Sequence, residues 1–308
     1  MKKILVVGSS NTDLIVKVPE IPRPGETLLG GEFHTFPGGK GANQAVAAAR
    51  AGGEVLFIAA VGDDDYGQAA VKGYRQDGIH TNYIKICTGI PSGVAMITIA
   101  ASGENAIAVA SGANARLLPE DLEAAGEAFR GADYMLVQLE TPLETVQKAV
   151  ALCGASSTRV ILNPAPAAHL SPGILAGTHY LTPNETEAEF LTGITVKGEA
   201  DAARAADSLH GKGVETVIIT LGAKGAFLSE RDSGRQVLVP GFAVDAVDTT
   251  AAGDTFNGQL AVALAEGMDP EDAIRLAHAA AALSVQALGA QSSIPSREET
   301  DRFLGEQA

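Results

Sequence analysis

Short β-branched runs separated by longer alanine-rich segments constrain this chain more than any other feature. They fall at Ile4 to Val7, Val55 to Val61, Tyr134 to Leu139, Val160 to Leu162 and Thr216 to Leu221. A strand that is apolar on both faces must be covered on both sides, and helical connections between such strands make them parallel. The pattern predicts an α/β fold with a central, mostly parallel sheet and helices on both faces. With 308 residues, 46% of them hydrophobic, the chain can bury a large core without disulfides or metals. Ser171-Pro172 and Asp269-Pro270 read as helix starts, a capping side chain preceding a proline at the first helical position. Ala252 to Glu266 carries Phe256, Leu260, Ala263 and Leu264 on one stripe and stops at Gly267, which predicts an amphipathic helix.

Two stretches break the rhythm. Residues 12–37 mix prolines and glycines with short apolar alternations, and residues 92–110 alternate through Val94-Ala95-Met96-Ile97-Thr98-Ile99. Both read as antiparallel strands with tight turns. The expectation is a small sheet assembled from both, standing off a core formed by 1–11, 38–91 and 111–308. It can serve as a lid over a site, or as a structural or dimer-forming sheet.

A net charge of -15 sets a far field that repels nucleic acid and anionic lipid, so a small anion must be captured by local devices. Cys87 and Cys153 have neither CxxC nor zinc spacing and read as buried thiols in a reducing compartment. The opening run, Lys2 to Gly8, is basic and then apolar, but it is too short for a secretory leader and is broken by Ser9, Ser10, Asn11 and Asp13. No stretch approaches the ~18 uninterrupted apolar residues of a membrane span. A cytoplasmic protein is expected.

Asp248-Thr249-Thr250-Ala251-Ala252-Gly253-Asp254 carries the most chemistry. Small residues at a helix start leave backbone N–H groups uncovered, and the helix dipole adds partial positive charge there. Asp254 can be an ordinary first-turn acid. Beside an anion cradle, however, it supplies what phosphoryl transfer needs, a base for the proton of the incoming hydroxyl. Gly38-Gly39-Lys40-Gly41-Ala42-Asn43 opens an alanine-rich helix running to about Ala51 and lacks Walker spacing. Its glycines permit close backbone approach, while Lys40 and Asn43 offer donors. Asn11, Asp13 and Glu140 follow strands at their carboxyl ends, where open α/β sheets place ligands. Thr220 to Gly225 ends another strand, with glycines that would let a flat nucleotide lie against the backbone, and Thr182 to Glu187 reads as a capping box.

Together and in this order, these segments resemble the ribokinase and phosphofructokinase-B family of sugar kinases. The stretches DTTAAGDTFNG, GGKGANQA and PNETEAE carry the resemblance, which runs from the first strand to the C-terminus. It implies that Asp254 is the base toward a sugar's primary hydroxyl and that Ala251, Ala252 and Gly253 form an anion hole. It implies sugar binding by Asn11, Asp13, Gly39, Lys40, Asn43 and Glu140. ATP would be surrounded by Asn184, Thr220, Gly222, Gly225, Gly253 and His278, and Glu187 would organise magnesium through water. Asp248, Thr250, Ser284, Ala287, Gly289 and Ser293 would hold an activating potassium ion, mostly through carbonyls. The family's commoner form has glycine where this chain has Ala251, which marks a subgroup. The resemblance also implies that the two inserts form a lid and that lids pair across a homodimer. Asn11-Thr12-Asp13, the GGKGAN stretch and the region from His278 to Ser293 point within the family to D-ribose, with ribose 5-phosphate and ADP as products. Rival readings are a family member acting on another sugar or a nucleoside, and a sugar sensor without turnover. A Rossmann dehydrogenase is disfavoured, since Gly8-Ser9-Ser10-Asn11 is not GxGxxG.

Overall fold

The structure is a computed structural model and describes residues 2–307. Its strands are β1 (Lys3–Val7), β2 (Asn11–Val18), β3 (Phe33–Gly38), β4 (Glu54–Gly62), β5 (Ile84–Cys87), β6 (Gly93–Ala100) and β7 (Asn105–Ala110), then β8 (Tyr134–Val137), β9 (Arg159–Leu162), β10 (Tyr180–Leu181), β11 (Thr216–Thr220), β12 (Ala226–Glu230) and β13 (Gln236–Val239). The main sheet has nine strands in the order β13-β12-β11-β10-β9-β8-β1-β4-β5. Pairing is parallel from β11 through β5 and antiparallel only at β11–β12 and β12–β13.

Alternate residues of each strand feed opposite sides. Leu5, Val7, Met135 and Val137 enter one apolar cluster, and Ile4, Val6, Tyr134 and Leu136 the other. The β-branched runs therefore make a sheet buried on both faces, as their sequence predicts. Cys87 and Cys153 are free, buried thiols. Among the described residues no helix is long and apolar enough to cross a membrane.

The helix Ala252–Ala265 departs from its expected amphipathic form. Every residue from Asp254 to Ala265 is buried, because the helices Lys40–Arg50 and Pro270–Ser284 pack along its sides. Closeness comes from small residues: a Cβ on Gly258 would lie 2.7 Å from the Ala48 backbone nitrogen and 2.8 Å from the Gln44 carbonyl oxygen. The polar residues on its inner face must then find partners inside the protein.

The second sheet has the order β3-β2-β6-β7. Within each insert the pairing is antiparallel, β2 with β3 and β6 with β7. The inserts join through a parallel pairing that sets Asn11 opposite Gly93 and Val18 opposite Ala100. Gly93 is required at that junction, since a Cβ there would collide with the Asn11 and Asn114 side chains.

Candidate active site

The carboxyl ends of the parallel strands, the start of the Ala252–Ala265 helix and the root of the small sheet converge on one place. Ala251 caps that helix in the left-handed region, φ 61° and ψ 11°, a conformation that costs a non-glycine residue roughly 1 kcal/mol. It turns the chain so that Ala251, Ala252, Gly253 and Asp254 line a cavity together with Lys40, Asn184, Glu187 and Thr220. The Ala252 N–H turns back to the Thr249 carbonyl at 3.3 Å. Gly253 faces open space, with no atom within 4 Å of where a Cβ would sit. A helix start with uncovered amides and no side chain in front of it is suited to an anion.

Asp254, 6% exposed, accepts a hydrogen bond on each carboxylate oxygen, from Asn43 Nδ2 at Oδ2 (2.9 Å) and from Gln44 Nε2 at Oδ1 (3.0 Å). Burial pushes its carboxyl up, and the Lys40 ammonium and these two amides pull it back down. Lys40 in turn is raised, chiefly by Asp254, with Glu140, Glu187 and Asp13 adding to the effect and burial opposing it. The lysine therefore stays charged among four carboxylates. Asp13 is pushed up to about 6 by its burial and by Glu140 and Asp254, against the pull of Lys40.

The expected sugar ligands lie on the small-sheet side. Gly39 takes φ 91° and approaches Asn11 so closely that a Cβ would sit 2.6 Å from the Asn11 backbone nitrogen. Glycine is demanded there by the crossing of the β2 start over the helix start. Asn114 locks the same crossing. Its Oδ1 accepts from the Ser10 N–H (2.8 Å), and its Nδ2 donates to Asn11 Oδ1 (2.7 Å). Glu140 Oε2 accepts from Ser9 Oγ and from the Lys40 N–H. Asn11 and Glu140 line a second cavity with Val109, Ser111 and Asn114. Asn43 faces Asp254 and also accepts from Gln291 Nε2 (3.3 Å).

On the other side of Gly253 opens a cavity of about 500 Å³ lined by Asn184, Thr220, Gly222, Phe242, Phe256 and His278. Thr220 bridges in parallel to Asn184. Burial pushes His278 down to about 4, so its ring is neutral at pH 7, and its Nε2 has no hydrogen-bond partner among the described residues. Gly225 does not line this cavity. A Cβ there would strike the Val239 carbonyl, so its glycine is required by the β12–β13 hairpin. Glu187 closes a capping box with Asn184, each side chain accepting from the other's backbone N–H. Its carboxyl is raised by burial, with the Asn184 N–H and Lys40 opposing.

Residues 1–297 match the model of the pfkB family of carbohydrate kinases. The chain belongs to this family. It is 48% identical over 303 residues to a ribokinase of Haemophilus influenzae, covering 98% of each chain. It is 41% identical to a deoxyribokinase of Salmonella typhimurium, again covering 98% of each. The structure of Arabidopsis thaliana ribokinase complexed with ribose and ATP superposes with a TM-score of 0.93 at 32% identity, covering 99% of both chains. The protein is therefore an ATP-dependent carbohydrate kinase, and the small sheet beside the main one is part of the architecture it shares with ribokinases.

The kinase site also contains a loop pair rich in oxygen. Asp248 Oδ1 accepts from the N–H and hydroxyl of Thr250 (2.9 and 2.6 Å), and Oδ2 accepts from the Gly289 N–H (2.9 Å). Burial pushes the Asp248 carboxyl up but is outweighed by these bonds, so it lies below its ordinary value and stays charged. The carbonyls of Ser284 and Ala290 accept from Ala287 and Ser293. Arg50 Nη1 holds the following stretch through the Gln291 and Ile294 carbonyls (2.6 and 2.9 Å). The Asp248 carboxylate thus accepts from two N–H groups and one hydroxyl. Among the described residues no group of three or more His, Cys, Asp or Glu could hold a metal.

Gln44, Gln138, Asn163 and Gln291, absent from the sequence-based expectations, form the polar interior of the kinase. Gln138 Nε2 donates to Gln44 Oε1 (2.6 Å), and Gln44 Nε2 donates to Asn163 Oδ1 (3.1 Å) as well as to Asp254. Gln138 and Asn163 stand just past the carboxyl ends of β8 and β9 and Gln44 on the Lys40–Arg50 helix, positions that are their only sequence signal, while Gln291, in the short turn Gln291–Ser293, carries no such signal.

Proposed function

We propose that this kinase transfers the γ-phosphoryl group of ATP to the primary hydroxyl of D-ribose, giving ribose 5-phosphate and ADP by in-line displacement. The observation that carries the reading is Asp254. It is a buried, doubly hydrogen-bonded carboxylate one residue from the cavity-facing Gly253, lining with Lys40 a cavity that shares Asn184, Thr220 and Gly253 with the cleft beside His278. The nucleotide would fill the cleft beside Thr220, Gly222 and His278 with its phosphates toward the Ala251–Asp254 amides, while the sugar would lie against Asn11, Asp13, Gly39, Lys40 and Glu140. The hydroxyl oxygen bonds to the γ-phosphorus as its proton passes to Asp254, and the bond from that phosphorus to the bridging oxygen breaks, releasing ADP. The amides and Lys40 stabilise charge on the moving group, and no phosphoenzyme is formed.

Glu187 would orient water on a magnesium ion, which when bound neutralises phosphate charge. Asp248 and Thr250, with the carbonyls of Ser284, Ala287, Gly289 and Ser293, would hold potassium. The four-stranded sheet would act as a lid over the sugar and pair with its counterpart in a homodimer, and the enzyme would work in the cytoplasm. Ribose is preferred over deoxyribose because identity to the ribokinase named above is higher. The test is ADP release from MgATP with ribose, deoxyribose, fructose or adenosine, in sodium and in potassium buffer. Fastest turnover with ribose that rises in potassium is expected. Faster turnover with another acceptor overturns the substrate, and equal rates in the two salts overturn the ion site.

A further inference from the structure

Whether Asp254 can act as a base depends on which way the neighbouring amides point, since an amide presents a donor at one end and an acceptor at the other. The direction is readable from one fixed point. The Thr182 backbone carbonyl can only accept, and Asn163 Nδ2 donates to it (3.2 Å). Asn163 must therefore present Oδ1 to Gln44, and Gln44 Nε2 donates there (3.1 Å). The same Nε2 reaches Asp254 Oδ1 (3.0 Å). Gln44 Oε1 is then turned away and needs a donor, supplied by Gln138 Nε2. The sequence ends in a defect: Gln138 Oε1 is buried without a partner among the described residues, packed where Gly8 leaves room for it. Reversing every amide would leave the outer Gln138 atom unpartnered all the same, now as an N–H, and would set amide oxygens against both the Thr182 carbonyl and Asp254. An orphaned carbonyl oxygen remote from the reaction is the lesser cost.

We propose that Asn163 and Gln138, neither of which is bonded to Asp254, are positioning residues that fix the direction of the Gln44 amide so that an N–H always faces Asp254 Oδ1. This rests on Asp254 being the base. The charged groups that also act on Asp254 or answer to it are Lys40 on the same helix as Gln44, Glu140 after β8, Asp13 on β2 and Glu187. Loss of the amide's direction leaves these in place and removes one charge-assisted hydrogen bond from the anionic form.

The test is the pH dependence of kcat with ribose and MgATP for Asn163→Leu and Gln138→Met, with Asp254→Asn measured alongside. The acid limb of each of the first two profiles is expected to move upward, by roughly one pH unit for Asn163→Leu and less for Gln138→Met. kcat and kcat/KM at pH 7 should fall together, since the lost interaction serves the transition state. Thermal unfolding identifies a variant that merely fails to fold, and Gln138→Met replaces its side chain with one of nearly equal shape. If folded variants keep the parental limb while Asp254→Asn is inactive, the proposal is overturned. If Asp254→Asn retains turnover, the base assignment beneath it falls instead.

Discussion

The crossing of the Lys40–Arg50 and Ala252–Ala265 helices gives the sharpest test of how Asp254, the proposed base, is held. Gly258 lies one helical turn after Asp254, on the same face, as Ala47 lies one turn after Asn43. A Cβ on Gly258 would stand 2.7 Å from the Ala48 nitrogen and 2.8 Å from the Gln44 carbonyl, with the Ala47 methyl nearer still. All three obstacles are backbone or a single methyl, so no side-chain rotation relieves them. Restoring ordinary contact of ~3.5 Å requires the helices to part by roughly 1 Å. Overpacking of this kind costs about 1–3 kcal/mol, and the better helix propensity of alanine returns up to ~1 kcal/mol, leaving a net loss of ~0–3 kcal/mol. Turnover should suffer more than stability. The same separation stretches the Gln44 and Asn43 bonds to Asp254 from 3.0 and 2.9 Å beyond hydrogen-bonding range, and a displacement of ~1 Å can cost ~10² in rate. Gly258→Ala is therefore expected to melt within a few degrees of the parent and to lose about two orders of magnitude in kcat, measured as ADP release at saturating ribose. A folded Gly258→Ala enzyme within about twofold of parental kcat would refute the claim that this crossing sets the base.

Asp254→Asn should retain ribose and ATP binding by calorimetry while kcat drops by ~10² or more, the reach of a positioned general base. Asp13 carries a pH signature of opposite sense to an ordinary salt-bridged acid. Its folded value of about 6 lies above the ordinary carboxyl value of 3.8, so its contribution to stability is fully present below ~4 and is lost as pH rises through ~6, on the order of 3 kcal/mol by pH 8. Asp13→Asn should thus raise the melting temperature at pH 8, with the gain shrinking at pH 5, and should weaken ribose binding. Equal gains at both pH values would remove the burial argument. Lys40→Met takes away the cation that holds Asp13 and Asp254 down, so the acid limb of the rate profile should shift upward and ribose affinity should fall. An unmoved limb would mean that Lys40 acts on the sugar alone.

Much of this fold is legible in the chain because local rules and the global structure agree. Ile4 to Val7 and Val160 to Leu162 are apolar at every position, and only a sheet covered on both faces satisfies that. Pro270 after Asp269 starts a helix for reasons internal to the dipeptide. What escaped sequence reasoning required partners distant in the chain. Asn43 and Gln44 meet Asp254 across sequence separations of 211 and 210, and no spacing rule connects them. The apolar stripe of the Asp254 helix suggested one buried face. The helix is buried on every face because Gly258 and Ala47 let a neighbour approach where larger residues would have left room for solvent. The parallel joining of the two inserts is invisible for a similar reason: period-two alternation sets which face a residue takes, not which edge its strand meets.

The charges in the site settle how an acidic protein can handle a polyphosphate. Among the described residues the Lys40 ammonium is the cation raised by Asp254, Glu140, Glu187 and Asp13 together, and burial, with Glu140 and Asp254 alongside, pushes Asp13 up to about 6 against its pull. A transferring phosphoryl group brings still more negative charge, which argues for further lysines. Adding them would drive Asp254 toward a weaker base by stabilising its anion. Amide groups escape the conflict, because the uncovered N–H groups at the Gly253 turn carry only partial charges and act over a few ångströms. In the proposed reaction they would stabilise the moving group without draining basicity from the carboxylate beside it. The remaining positive charge is then best brought in with the nucleotide, arriving and leaving with the substrate. On this reasoning, engineering a lysine into the cradle at Ala252 would tighten ATP binding and slow the chemical step, a divergence that measurements of Kd and single-turnover rate would expose.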